Sequence, residues 1–122
     1  MKCSAVRCTN CGQCEAVKQE IKTTFERAIE TFGGYNQMVK ATEEMSELQK
    51  ELCKALIGQE DRKHILEELT DVEIMLKQLK LIFNFTEDEL LEMKCLKIAK
   101  LELAVQERET YIRRSIEQEG EE

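Results

Sequence analysis

The chain has 122 residues, enough for one domain that buries roughly two-thirds of its unfolded surface. Its 25 Asp and Glu outweigh 18 Lys and Arg, for a formal net charge of −7, which argues against a general affinity for nucleic-acid phosphates or anionic lipid. Hydrophobic residues at 42% exclude a wholly disordered chain, and no apolar run approaches the roughly 18 residues that a membrane span needs. With no proline and only five glycines, nothing breaks long helices. Met1-Lys2 leads into polar residues and cysteines rather than the apolar segment of a secretory signal, so the cytoplasm is the expected compartment.

Residues 1–15 form a cysteine-rich segment with Cys3-x4-Cys8-x2-Cys11-x2-Cys14. Without a signal peptide, a metal site is a stronger expectation than a disulfide framework. Two overlapping Cys-x2-Cys steps offer thiolates to one soft ion, and zinc is the first expectation for Cys3, Cys8, Cys11 and Cys14. An iron–sulfur cluster is the second, although the spacing of the fourth ligand fits neither standard ferredoxin pattern. A reduced tail without metal is the third. Cys53 and Cys95 lie in helical patterns near apolar positions and are expected as buried free thiols.

Residues 16–122 read as one all-α domain, a four-helix bundle in outline. Val17, Ile21, Phe25, Ala28 and Phe32 form the stripe of a first helix, which Gly33-Gly34 ends. A second helix runs from about Tyr35 to Ile57, with Met38, Ala41, Met45, Leu48, Leu52 and Leu56 on one side, and Gly58 makes the turn. The third carries Ile65, Leu69, Val72, Leu76, Leu79 and Phe83 in alternating steps of four and three. A capping-box signature, Thr86 with Glu89, opens a fourth helix that continues through Leu91, Cys95, Ile98, Val105, Ile112 and Ile116 to a charged end. The steps of four and three favour shallow helix packing, and stripes this wide on so small a chain leave apolar surface for a second copy.

The second helix contains Glu43-Glu44-x-x-Glu47 and the third Glu67-Glu68-x-x-Asp71. Residues three apart share a helix face, so each helix offers a carboxylate pair. The chain holds four such acidic pairs, no more than random placement gives, so the pairs by themselves carry no surprise. Their placement does. The centre of each pair lies about 12 residues from Gly58, or about 18 Å along its helix. An antiparallel hairpin closed at Gly58 therefore brings Glu44, Glu47, Glu68 and Asp71 to one level. Four carboxylates beside a core repel unless a cation sits among them, and hard oxygen ligands suit Mg²⁺ or Mn²⁺ rather than zinc.

Glu43-Glu44-Met-Ser-Glu47-Leu48 followed, some twenty residues on, by Glu67-Glu68-Leu-Thr-Asp71-Val72 resembles the EExxE…ExxD signature of the all-α nucleoside triphosphate pyrophosphatases, the superfamily of the MazG-like proteins. Phe32-Gly33-Gly34-Tyr35-Asn36-Gln37 is similar to the entry to the metal helix in the shorter MazG-like proteins. Lys97-Ile-Ala-Lys100-Leu101 is similar to their later Lys-x-x-Arg/Lys-Leu element. The resemblance covers about residues 20–115 and leaves out the cysteine segment. It implies hydrolysis of a nucleoside triphosphate to the monophosphate and pyrophosphate with Mg²⁺ or Mn²⁺, in nucleotide-pool house-cleaning, by a homo-oligomer. Carried over by position, Glu44, Glu47, Glu68 and Asp71 are the metal ligands, and Lys97 and Lys100 approach the phosphates, with Gln37 near the substrate. Glu43 and Glu44 are the catalytic candidates, Glu43 by orienting water. Lys100 stands where arginine is common, which removes bidentate phosphate binding. His64, the only histidine, is expected at a surface or helix start. The alternative class is a non-catalytic helical dimerisation protein whose cysteine segment, with zinc, docks a partner.

Overall fold

The computed structural model describes residues 15–120, so the expected metal site at Cys3, Cys8, Cys11 and Cys14 lies outside the described residues. The described chain is all-helical: α1 (Glu15–Phe32), α2 (Gly34–Leu56), α3 (Arg62–Ile82) and α4 (Glu87–Glu119). It divides into two compact units within the 16–122 segment read from the sequence as one domain. The first ends at Asn84 and contains α1–α3; the second begins at Phe85 and contains α4. Among the described residues no helix is long and apolar enough to cross a membrane.

Local chemistry places each boundary. Gly33, at φ +86, takes the left-handed conformation that separates α1 from α2, and the Asn36 amide donates to the Phe32 carbonyl at 2.8 Å. Gly58, at φ +79, turns the chain after α2, its N–H donating to the Ala55 carbonyl at 3.0 Å. Asp61 caps α3: its Oδ1 accepts from the N–H groups of Lys63 and His64, each at 3.1 Å. These amides hold the Asp61 carboxyl below its usual range, the His64 N–H contributing most. His64 is exposed in this first turn, its Nδ1 3.0 Å from Asp61 Oδ2, in keeping with the helix-start position expected of it. Thr86 and Glu89 close a reciprocal capping box on α4, with Thr86 N–H to Glu89 Oε2 at 2.8 Å and Glu89 N–H to Thr86 Oγ1 at 3.1 Å.

In the first unit α2 and α3 make the dominant contact, and α1 packs on both. The surfaces of α2 and α3 that meet are half polar. Ala41 and Met75 are the buried apolar residues among those described, beside buried Gln37, Glu44, Glu51 and Gln78. Leu48, Ala55, Ile65, Val72 and Leu79 are half-buried around them. Met45 and Leu52 on α2, and Leu69 and Leu76 on α3, stand at seven-residue spacing and remain exposed, Leu52 at 48% and Leu69 at 52%.

The expected burial of the two helical cysteines is corrected here: Cys53 and Cys95 are both exposed free thiols. Cys53 lies nine residues after buried Glu44, which at about 100° per residue is half a turn away from the side that meets α3. Cys95 lies on α4, which contains no buried residue.

Gly58→Ala places a Cβ in the left-handed region and is expected to destabilise the first unit by about 1–2 kcal/mol in chemical denaturation. Gly34→Ala, whose Cβ meets Ile82 at an ordinary 3.6 Å, should be close to neutral.

Candidate metal centre

The antiparallel register of α2 and α3 brings Glu44, Glu68 and Asp71 together: one carboxylate oxygen from each lies within 4.8 Å of the others. The three differ in environment, Glu44 being buried, Glu68 half-buried and Asp71 exposed. Glu47, the fourth expected ligand, lies outside this group of three and acts on Glu68. Glu68 Oε2 is shut off from solvent and accepts no hydrogen bond. As ionised groups Glu47 and Glu68 only accept, so a hydrogen bond between them exists only while one of them carries a proton.

Desolvation is the first cause that pushes the Glu68 carboxyl above its usual range. The negative charge of Glu47 and the hydrogen bond with it come next, then the charges of Asp71 and Glu44. A carboxyl that has one buried oxygen without a donor and feels the charge of three further carboxylates is the electrostatic complement of a small hard cation. Glu44, Glu68 and Asp71 fit such an ion by donor type as well, since oxygen ligands suit Mg²⁺ or Mn²⁺.

Lys40, one turn before Glu44, is the cation that pairs with the cluster among the described residues. Its Nζ is 2.7 Å from Glu44 Oε1 and 3.2 Å from Glu43 Oε1. The hydrogen bond to Glu44, then that to Glu43, holds the Lys40 ammonium well above the ordinary lysine range. Glu43 is therefore an exposed carboxylate tied to a lysine at the rim of the cluster. Glu51 is a further buried carboxylate, one turn beyond Glu47. Its Oε1 pairs with Lys54 Nζ at 2.6 Å, and its Oε2 is buried with no partner.

A cleft of about 620 Å³ opens beside the acids. Glu43, Glu44, Asp71 and Lys40 line its charged end, and Phe32, Val39, Ile74 and Met75 supply apolar wall, with Gln37 and Asn36 among them. Gln37 is buried, and its Nε2 donates to Gln78 Oε1 across α2 and α3 at 2.7 Å. Lys97 and Lys100 are exposed on α4, in the second unit, three residues apart on one row. From the sequence, Gln78 carries no functional expectation and Lys40 only that of offsetting the clustered acids. Lys40 had a signal, its spacing of three and four to Glu43 and Glu44; Gln78 had a fainter one, an amide directly before Leu79 of the apolar stripe.

The raised Glu68 carboxyl sets a sign for stability against pH. In a metal-free protein Glu68 is easier to protonate when folded, so the folded state gains from low pH and loses as pH rises from the unfolded carboxyl range through the elevated folded value. Glu68→Gln is expected to raise the melting temperature in EDTA at neutral pH, with the gain fading in acid. A thermal melt series from pH 4 to 8 reads this directly; a variant less stable than the parent throughout would contradict the account of like-charge crowding.

Comparison with models of known protein families, with curated proteins and with solved structures found no match to the chain.

Proposed function

We propose that the protein is a Mg²⁺-dependent nucleoside triphosphate pyrophosphohydrolase that acts in nucleotide-pool house-cleaning in the cytoplasm. The observation that carries this reading is the convergence of Glu44, Glu68 and Asp71, with one Glu68 oxygen buried and unsatisfied, beside a cleft with apolar walls. The resemblance of the two acidic motifs to the all-α pyrophosphatases turns a general cation site into a specific chemistry. A triphosphate brings its own negative charge, which an acidic cluster repels, so the two can share a site only with divalent cations between them.

In this reading Glu44, Glu68 and Asp71 hold Mg²⁺, with Glu47 completing the set from its place against Glu68. A Mg²⁺ ion held there would supply charge neutralisation of the triphosphate and would make an attacking water more acidic. Water cleaves the anhydride between the first and second phosphoryl groups, releasing the monophosphate and pyrophosphate. Glu43, exposed at the rim, is the residue proposed to orient that water. Lys40 compensates Glu44 and stands at the edge where phosphate oxygens enter. The resemblance alone assigns Lys97 and Lys100 of α4 to phosphate binding. The apolar end of the cleft takes the nucleoside.

The same proposal includes a homo-oligomer. Met45, Leu52, Leu69 and Leu76 form an exposed apolar stripe on a unit with a thin core, and a second copy is the cover proposed for it. Zinc at the N-terminal cysteines stays an independent expectation from their spacing. The rival reading, a non-catalytic dimerisation protein, draws on the same exposed stripe and predicts no turnover with any divalent ion.

The test is pyrophosphate release from a panel of canonical and modified NTPs and dNTPs with Mg²⁺, with Mn²⁺ and with EDTA. Metal-dependent release with the monophosphate as co-product is expected, and Glu68→Gln should lower it by about two orders of magnitude or more while the helical spectrum stays intact. Unchanged turnover in that variant overturns the assignment, and a folded, oligomeric protein without turnover on any substrate returns the rival. Leu69→Asp should shift sedimentation toward a monomer.

A further inference from the structure

The acidic cluster accounts for one end of the cleft and leaves unexplained Gln37 of its lining and the buried amide pair that Gln37 forms with Gln78. Gln37 and Gln78 are 9% and 4% exposed, and the 2.7 Å hydrogen bond between them joins α2 to α3. Gln78 Nε2 has only the Met75 sulfur, at 3.7 Å, a weak acceptor. Buried amides are expensive to order and desolvate, and a Leu pair would join the same two helices with less loss. Their position is informative. Gln37 lies seven residues before Glu44, and Gln78 lies seven residues after Asp71. Because α2 and α3 run antiparallel, both steps lead the same way, away from the turn at Gly58. The amide pair therefore forms a layer about 10 Å beyond the carboxylates along the helices.

We propose that this layer reads the nucleobase, with Gln37 touching its hydrogen-bonding edge and Gln78 acting as the positioning residue that holds the Gln37 amide. The inference rests on the pyrophosphohydrolase reading and deepens it. With phosphates at the acidic layer, a sugar bridges the gap and the base arrives among Phe32, Ile74 and Met75, where Gln37 lines the cleft. One N–H of Gln37 is committed to Gln78, which leaves its carbonyl and second N–H as an adjacent acceptor and donor. That is the pattern with which an amide side chain pairs a base edge. Gln78, more deeply buried, fixes which way round the amide is presented, so the apolar walls and the polar edge act on one orientation of the base.

The double variant Gln37→Leu with Gln78→Leu separates this role from a structural one. It removes both partners together and leaves no orphaned amide, so the fold and the acidic layer are retained. Titration calorimetry with Ca²⁺ as the divalent ion compares dATP, dCTP, dGTP and dUTP with inorganic tripolyphosphate, which carries phosphates and no base. The expected result is a loss of about tenfold or more in affinity for the preferred nucleotide, with tripolyphosphate affinity unchanged. Gln78→Leu alone should weaken the same nucleotide and blur the preference among the four bases. Equal affinities in parent and double variant, or an equal loss for nucleotide and tripolyphosphate, overturn the base-reading layer. Failure of the parent protein to bind either ligand overturns the pyrophosphohydrolase reading, and this inference with it.

Discussion

The pairing of α2 with α3 is the constraint on which the site depends. Two helices leaving one turn at Gly58 must pass their residues in mirrored order, so a side chain at a given distance before the turn meets one at a similar distance after it. That geometry collects Glu44, Glu68 and Asp71, although 24 residues separate the first two along the chain. It also lines up Gln37 with Gln78 one heptad farther out. Neither helix alone carries a site; the register between them does.

Crowding like charges on that register has a cost, and the chain offsets it unequally. Glu44 is compensated by Lys40, and Glu51 on one oxygen by Lys54, whereas Glu68 has no cation of its own among the contacts described. The most buried carboxylate of the cluster, Glu44, thus has a cation beside it, and half-buried Glu68 has none. A hydrophobic core would not tolerate that arrangement, and this one is scarcely hydrophobic: Ala41 and Met75 are its buried apolar members, the rest being amides and carboxylates. Stability has been set aside along this seam in favour of polar groups held in fixed positions.

Much of this was legible in the sequence, for physical reasons. Helix boundaries were readable because caps and left-handed glycines are local: Gly33, Gly58 and the Thr86–Glu89 box each act within a few residues. The meeting of the two acidic motifs was readable because their distances from Gly58 match. Burial was less readable, since it depends on which part of a wide stripe meets a neighbour. Leu52 and Leu69 looked like core and stay exposed, and Cys53 looked buried though it sits half a turn from the packed side. The amide pair was barely legible: Gln78 follows Lys77 as one more polar residue of the helix, and its meaning comes from a residue 41 positions away.

The layered register also restricts how the chain can change length. Along α2 or α3, one inserted residue rotates everything beyond it by about 100°, and two inserted residues turn a carboxylate toward the opposite face. Seven residues restore the facing to within about 20°. Between the amide layer and the acidic layer, then, insertions and deletions are graded not by size but by phase, and a larger change can disturb the site less than a small one. The turn at residues 57–61 lies beyond both layers, so length changes there act as a translation of one helix past the other, sliding both layers out of register together while leaving each helix's own spacing untouched.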